Sequence, residues 1–474
     1  MRANDQLVPL GDVVKPIRPR VKPTENPDLP FIGMEHVEAH TMKLLGTVPA
    51  SEMKSASVRF QPGDVLYGRL RPYLNKVVRP TFGGLCSAEF IVFPENDRVD
   101  GKYLQYFLNS SAFVNFATHL NAGDRPRVDF DQIAAFEIPL RTIDEQHRIV
   151  AEIEKQFSRL DQAVASLRRV KAQLKRYKAS VLKAAVEGRL VETEAQRARR
   201  EGRGFETGAE LAAQGSANAA GGRKPGAALH YETGEQLLKR ILETRRSQWK
   251  GKGKYKEPAA PETSGLPELP EGWVWASLDA LSWHSSYGTS AKCSYAKGGV
   301  PVLRIPNVQQ GALDLSDLKF APADHVLPED ETVSVGDMLI IRTNGSRSLI
   351  GRAAVVTSQS KRALSFASYL IRFRLIQVES LPAWISIIWQ EGRMRQWIES
   401  RAATSAGQHN ISQSVLALAT LPLPPLPEQL RIVAEVDRRL SIVREVEAEV
   451  DANLKRAQTL RQAVLARAFT GTSS

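Results

Sequence analysis

Cysteine is almost missing from this chain: two in 474 residues, Cys86 and Cys293, with no CxxC. That excludes a disulfide framework or a thiolate zinc cluster, and it fits a reducing, cytoplasmic compartment. No run approaches the roughly 18 uninterrupted apolar residues of a membrane span, so no membrane is expected among its partners. The opening residues, MRANDQLVPLGDVV, lack the apolar stretch of a secretory leader. Catalytic motifs are missing too. There is no GxxxxGK[ST] phosphate loop, no GxGxxG and no (D/N)PP(Y/F) element of an adenine methyltransferase. In GMEHVEAH, His36 and His40 are four apart, but the glutamate falls in neither zincin position. Pro27-Asp28 with Glu52-Met53-Lys54 matches a nuclease core only faintly and has no counterpart in the second half. No serine or cysteine has the local signature of a nucleophile. We therefore expect no catalytic residue and no metal, and read the chain as one that recognises and assembles.

What is present begins with charge. Sixty-four Lys and Arg against 52 Asp and Glu leave +12, with a pI near 9.6. Such a balance favours a polyanionic partner, most simply nucleic acid. Hydrophobic residues at 42% and charged residues at 24% are those of a globular chain long enough for two or three domains.

The strongest pattern is a repeat. IPLRTIDEQHRIVAEIEKQF starts at Ile138 and LPLPPLPEQLRIVAEVDRRL at Leu421, an offset of 283. VLKAAVEGRL from Val181 meets VLARAFTGTS from Val464 at the same offset. Each copy reads as a turn followed by a long helix. Thr142 and Glu145 have capping-box spacing, and Pro427 suits a first helical turn. Apolar residues then recur at steps of three and four. The first series is Ile153, Phe157, Leu160, Val164, Leu167, Val170, Leu174, Tyr177 and Val181; the second runs from Val433 through Val436, Leu440, Val443, Val446, Val450, Leu454, Ala457 and Leu460 to Val464. Gly188 and Gly471 supply the stops. Some 43 residues at about 1.5 Å each make a rod of roughly 65 Å. Two such helices are expected to pair with each other; a coil between two chains is the alternative.

The segments ahead of the helices are related more weakly. FQPGDVLYGRLRP from Phe60 faces VSVGDMLIIRTNG from Val333, and NAGDRPRVDF from Asn121 faces TSAGQHNISQ from Thr404. Short β-branched and aromatic runs between Gly, Pro, Asn and Asp read as strands and turns, with helices near 101–120 and 381–400. The expected fold class is α/β (α+β) and multidomain: two α/β globules alternating with two long helices that pair as an antiparallel coiled coil, under a pseudo-two-fold repeat. The boundaries are 1–142, a first globule; 143–190, a long helix; 191–270, a linker with an Ala/Gly-rich part (AAQGSANAAGGRKPGAA), a basic helix (GEQLLKRILETRRSQW) and a basic run (KGKGKYK); 271–420, a second globule; and 421–474, the second long helix.

Each globule carries two basic, amide-bearing loops at matching places. In the first they hold Arg69, Arg71, Tyr73 and Lys76, then Arg125 and Arg127; in the second, Arg342, Asn344, Ser346 and Arg347, then Gln408 and Asn410. Arginine reads guanine O6 and N7, Asn and Gln read adenine, and Lys, Ser and backbone amides suit phosphates. These twelve are the candidate DNA-binding residues.

The P-L-P-x-x-E-Q-x-x-I-V helix start, the LPEGW lead-in, GD-[VM]-L followed by an Arg loop, and T-S-A-G-Q together resemble the specificity (S) subunit of Type I restriction–modification systems. The resemblance covers nearly the whole chain; the first globule lacks LPEGW and the NGS of the second Arg loop. It implies target-recognition globules that each read half of a split double-stranded DNA site, and helices that space them. It implies docking of two modification (methyltransferase) subunits, which carry S-adenosylmethionine and methylate adenine N6. Restriction subunits would add the ATP-driven translocase and nuclease. The S subunit itself would hold no cofactor and no catalytic residue. The rival readings are a DNA-binding scaffold or regulator without a methyltransferase partner, and a catalytic single-chain restriction–modification nuclease.

Overall fold

The computed structural model describes residues 6–17, 20–201, 231–249, 254–358, 360, 362–376, 379–405 and 407–470. The Ala/Gly-rich stretch, the first four residues of KGKGKYK and Gly471 lie outside them. The chain divides into two compact units, residues 1–171 with 448–474, and residues 172–447.

In the first unit, strand Gln6–Pro9 pairs antiparallel with Glu137–Leu140, the strand that feeds the first long helix. A five-stranded sheet runs in the order Arg20–Val21, Ser57–Phe60, Gly84–Ser87, Pro30–Ile32, Val48–Pro49; a three-stranded one has Val65–Gly68 between Val77–Val78 and Phe90–Phe93. Helices Gly101–Leu108 and Ser111–His119 start at Asp100 and Ser110, whose side chains accept the N–H of Tyr103 and Phe113. Tyr67, Tyr103, Phe107 and Phe113 fill the core, closed by Ile153 and Phe157 of one long helix and Leu465 of the other. Ser51 N–H donates to the Pro27 carbonyl at 3.0 Å, so Pro27–Asp28 and Glu52–Lys54 do lie side by side. Among the described residues, no group of three or more His, Cys, Asp or Glu could hold a metal ion.

The second unit repeats the opening pair: Val274–Ser277 lies antiparallel to Thr420–Leu423, ahead of the second long helix. A four-stranded sheet has the order Ser282–Tyr287, Leu370–Leu375, Asp337–Ile341, Ala353–Val355. Helices Leu381–Gln390 and Gly392–Arg401 pack on it, with Trp384 fully buried. Val181, Leu182 and Ala185 share this core with Ile432, Val436 and Leu440. The expected linker helix is present at Gly234–Ser247, capped by Thr233. Its basic face is incomplete: Arg245 turns inward, bonded to Asp279 (3.1 Å) and the Ser282 carbonyl (3.0 Å). A short helix, Glu194–Arg200, has no counterpart in the sequence reading.

The long helices span Ile143–Val186 and Leu426–Thr470, 44 and 45 residues. Thr142 and Glu145 exchange the two bonds of a capping box, 3.2 and 3.4 Å. The repeated Glu-Gln earns its place through the glutamine. Gln146 is buried, accepts from Asp100 N–H (2.8 Å) and donates to the carbonyls of Arg98 (3.0 Å) and Arg141 (2.8 Å). Gln429 is buried likewise, accepting from Ser380 Oγ (3.3 Å) and donating to the Pro424 carbonyl (2.8 Å). One amide thus ties the strand–helix turn to the start of an earlier helix in each unit, Gly101–Leu108 or Leu381–Gln390. Gly188 ends the first helix at φ 65°, and a Cβ there would strike Pro270. The apolar stripes differ from expectation at two places. Tyr177 is 45% exposed and Leu460 is 53% exposed. Arg461 takes the position beside Leu460, its guanidinium 4.1 Å over the Phe157 ring and paired with Asp161 at 2.6 Å, while Leu465 supplies the apolar contact. Among the described residues, no helix is long and apolar enough to cross a membrane.

Glu428 differs from its repeat partner Glu145. It is buried, accepting from Trp273 Nε1–H (3.0 Å) and Glu194 N–H (2.9 Å). Burial pushes its carboxyl up from 4.5 to about 7. A raised carboxyl pKa means the folded state holds the proton more tightly. Its contribution is therefore complete below 4.5 and lost as pH rises to about 7. Relative to Glu428→Gln, the wild type should gain up to about 3 kcal/mol between about pH 8 and about pH 4.5. Urea midpoints of both proteins across that range give the answer; a difference that does not change with pH refutes it.

Candidate nucleic-acid interface

In both units the GD turn aims the following strand at the candidate loops. Gly63 and Gly336 adopt φ 95° and 86°, open to glycine at no steric cost. The next residue caps the turn: Asp64 accepts the Gln61 N–H at 2.8 Å and Asp337 the Ser334 N–H at 2.8 Å. An arginine follows the last residue of each strand. Arg69 N–H donates to the Glu89 carbonyl (2.9 Å), and its carbonyl accepts Val128 N–H (3.0 Å). Arg342 N–H donates to the Tyr369 carbonyl (2.9 Å), and its carbonyl accepts Ile411 N–H (2.9 Å). The same backbone node is built twice, and in each unit it joins the two loops that the sequence singles out.

Around the first node, Arg71 N–H donates to the Pro126 carbonyl at 2.7 Å, and Leu70 bridges to Arg127. Arg71 is left-handed, φ 53° and ψ 65°, conformational strain that the paired loops hold in place. The Arg69 guanidinium pairs with Asp129 and that of Arg127 with Glu89. Tyr73 is exposed on the short turn Pro72–Leu74. Arg125 is exposed and has no ion-pair partner among the described residues. Lys76 turns inward, donating to the Met34 carbonyl at 2.5 Å.

The second node continues into a small sheet, Thr343–Asn344 beside Gln408–Asn410 beside Ala403–Ser405. Gln408 and Asn410 are exposed and, two apart on a strand, share a face. Arg342 has an aromatic neighbour in place of a carboxylate, its guanidinium 4.8 Å over the Tyr287 ring. Asn344 spends its side-chain oxygen on the Ser346 N–H (2.8 Å), and Ser346 Oγ lies 2.9 Å from Ser348 Oγ. Arg347 reaches the Glu399 carbonyl at 3.0 Å. Glu89, Asp129, Tyr287 and Tyr369 escaped the sequence reading. The one available signal was positional: Glu89 in SAEF and Tyr369 in ASYL each precede the strand that pairs with the GD strand.

The fold and these nodes define a mixed helix-and-strand chain that presents two equivalent arginine-centred loop clusters. The chain is similar to the Type I restriction enzyme EcoKI specificity subunit of Escherichia coli K12, 30% identical over 184 residues, 39% of each chain. It is similar to the StySPI specificity subunit of Salmonella potsdam, 28% identical over 200 residues, 42% of this chain and 43% of that one. The matched stretches thus span about two fifths of those two relatives. The EcoEI specificity subunit of Escherichia coli matches further, 22% over 451 residues, 89% of this chain and 75% of the relative. A solved structure from work on assembly and conformational transition of the type I R-M system shares the fold, with a TM-score of 0.61, 20% identity and coverage of 99% and 98%. No protein-family model matches. The resemblance read from the sequence is met: the curated relatives are Type I restriction enzyme specificity subunits.

Proposed function

We propose that this chain is the DNA-recognition subunit of a Type I restriction–modification complex. The observation that carries the reading is the arginine node built twice, around Arg69 and Arg342, on identical backbone bonds. Each node reads one half of a split duplex site, within globules bounded as 1–142 and 271–420. The long helices pair as an antiparallel coil and set the gap. In support, ten residues back along the first helix, from Lys171 to Asp161, correspond to ten forward along the second, from Asp451 to Arg461, in the ion pairs of the first unit. One chain then imitates a two-fold dimer and docks two adenine-N6 methyltransferase subunits, and through them restriction subunits. S-adenosylmethionine and ATP belong to those partners. This chain supplies no catalytic group and works in the cytoplasm.

Single replacements Arg69→Ala and Arg342→Ala test this. Each should cost about 1–3 kcal/mol on cognate DNA and relax one base position in one half-site. Arg125→Ala, at an exposed cation, should weaken all sequences alike and flatten the salt dependence. Fluorescence anisotropy across a salt series, with methylome sequencing of cells that express the modification partner, reads both effects. Unchanged affinity, motif and salt slope in all three variants would place the DNA face elsewhere.

A further inference from the structure

The two nodes share a backbone but not the side chain beside the arginine. We infer that this position, Glu89 in the first unit and Tyr369 in the second, determines base specificity, and that Glu89 accepts a hydrogen bond from the exocyclic amine of a cytosine. The inference rests on the proposed DNA reading of the nodes.

The geometry makes the position common to both. Arg69 and Arg342 donate their amides to the carbonyls of Glu89 and Tyr369, so those residues sit against the arginine in either unit. The chemistry then diverges. Glu89 Oε1 pairs with Arg127, while Glu89 Oε2 is buried with no hydrogen-bond donor among the described residues. A buried acceptor without a donor is costly, and binding a donor would relieve it. Phosphate cannot do so, because it brings only acceptors and negative charge. Guanine O6 and N7 and thymine O4 are acceptors too. In the major groove that leaves the amines of cytosine N4 and adenine N6. Cytosine is favoured by what surrounds Glu89. Arg69 and Arg127 each lie in an ion pair with this carboxylate or with Asp129, itself 63% exposed, and arginine is the reader of guanine. An arginine on guanine and a carboxylate on its paired cytosine would read one base pair from both sides. The second node has none of this. Tyr369 is 53% exposed, and Arg342 stacks on Tyr287 with no carboxylate paired to it among the described residues.

The test uses the full chain expressed with its modification partner, in wild-type, Glu89→Gln, Glu89→Ala, Tyr369→Phe and Arg69→Ala forms, with methylome sequencing. Both Glu89 variants should lose discrimination at one cytosine of one half-site, on the order of tenfold, and leave the other half unchanged. Binding to unrelated DNA should tighten, since a negative charge is removed. Tyr369→Phe should change the motif in the opposite half only, and an unchanged motif there would overturn the assignment of Tyr369. Relaxation at an adenine instead would overturn the cytosine assignment. If Arg69→Ala relaxes a half-site while both Glu89 variants keep the wild-type motif, Glu89 only stiffens the loop, and the inference falls while the node reading stands. If Arg69→Ala also changes nothing, the node reading falls first. Loss of folding in both Glu89 variants, seen by circular dichroism, would make the Arg127 pair purely structural and overturn the inference as well.

Discussion

Asp337→Ala is expected to destabilise the second unit by about 3–5 kcal/mol, the cost of stranding a buried charge. Asp337 is buried and bonds Arg374 through Nε (3.0 Å) and NH2 (3.1 Å), with Arg372 NH1 3.8 Å away. Arg372 is wholly buried; it also donates to the Thr332 carbonyl and to His284 Nε2 at 3.0 Å. Burial, then the nearby Arg372 charge, holds the His284 pKa below its usual value, which suits a ring nitrogen that accepts. Removing Asp337 leaves the Arg372 charge without its counter-ion in a site water does not reach. Asp64→Ala is the internal comparison. It caps the same turn, but Arg79 beside it pairs with Glu95 at 2.5 Å, and burial already raises the Asp64 carboxyl. That loss should be nearer 1–2 kcal/mol, a cap and its hydrogen bond. The readout is clean, because Trp249, Trp273, Trp275, Trp283, Trp384, Trp389 and Trp397 are all the tryptophans of the chain and all lie in the second unit. Urea unfolding followed by tryptophan fluorescence should shift strongly for Asp337→Ala and hardly at all for Asp64→Ala. Equal losses by circular dichroism would mean the buried arginine finds another counter-charge.

The second large effect concerns the proposed gap between half-sites. Four residues inserted into both long helices, near Lys171 and Leu454, add about one turn, or roughly 6 Å, to each. Base pairs along B-DNA lie about 3.4 Å apart. Methylome sequencing should then show both half-sites unchanged and the gap between them longer by one or two base pairs, because no reading loop has been touched. Insertion into one helix alone should be disruptive. In the first unit it breaks the register in which Lys171 meets Asp451 at 2.6 Å and Arg461 meets Asp161 at 2.6 Å, and it turns the apolar stripe away from its partner. A folded, active double insertion that still methylates sites with the original gap would remove the helices from that role.

The long helices show what one sequence can carry. Spacing of three and four is a property of neighbours on a single helix, so the periodic stretches, the Thr142–Glu145 box and the Gly188 stop were legible, whereas the second helix, drawn from 421, starts at Leu426 behind the strand Thr420–Leu423. Which residues close the stripe was not. Leu460 faces out because Arg461 lays its guanidinium over Phe157, a contact made across two helices some 300 positions apart in sequence. The loops repeat the lesson. The GD turn and the arginine after it could be aligned by eye, since a positive φ and a capping carboxylate are local demands.

By itself, then, the sequence determined the mixed α/β class, the twice-used long helix, the basic charge and the pairs of loops, because each is encoded within a few neighbouring residues. Only the tertiary structure decided that Arg69 meets Glu89 and Arg342 meets Tyr369, that Lys76 and Arg347 point to carbonyls of their own unit, and that Arg245 is buried. Those outcomes depend on β-pairing and packing between distant segments. There the register of a whole sheet fixes a neighbour, and no local pattern announces which side chain will stand beside which.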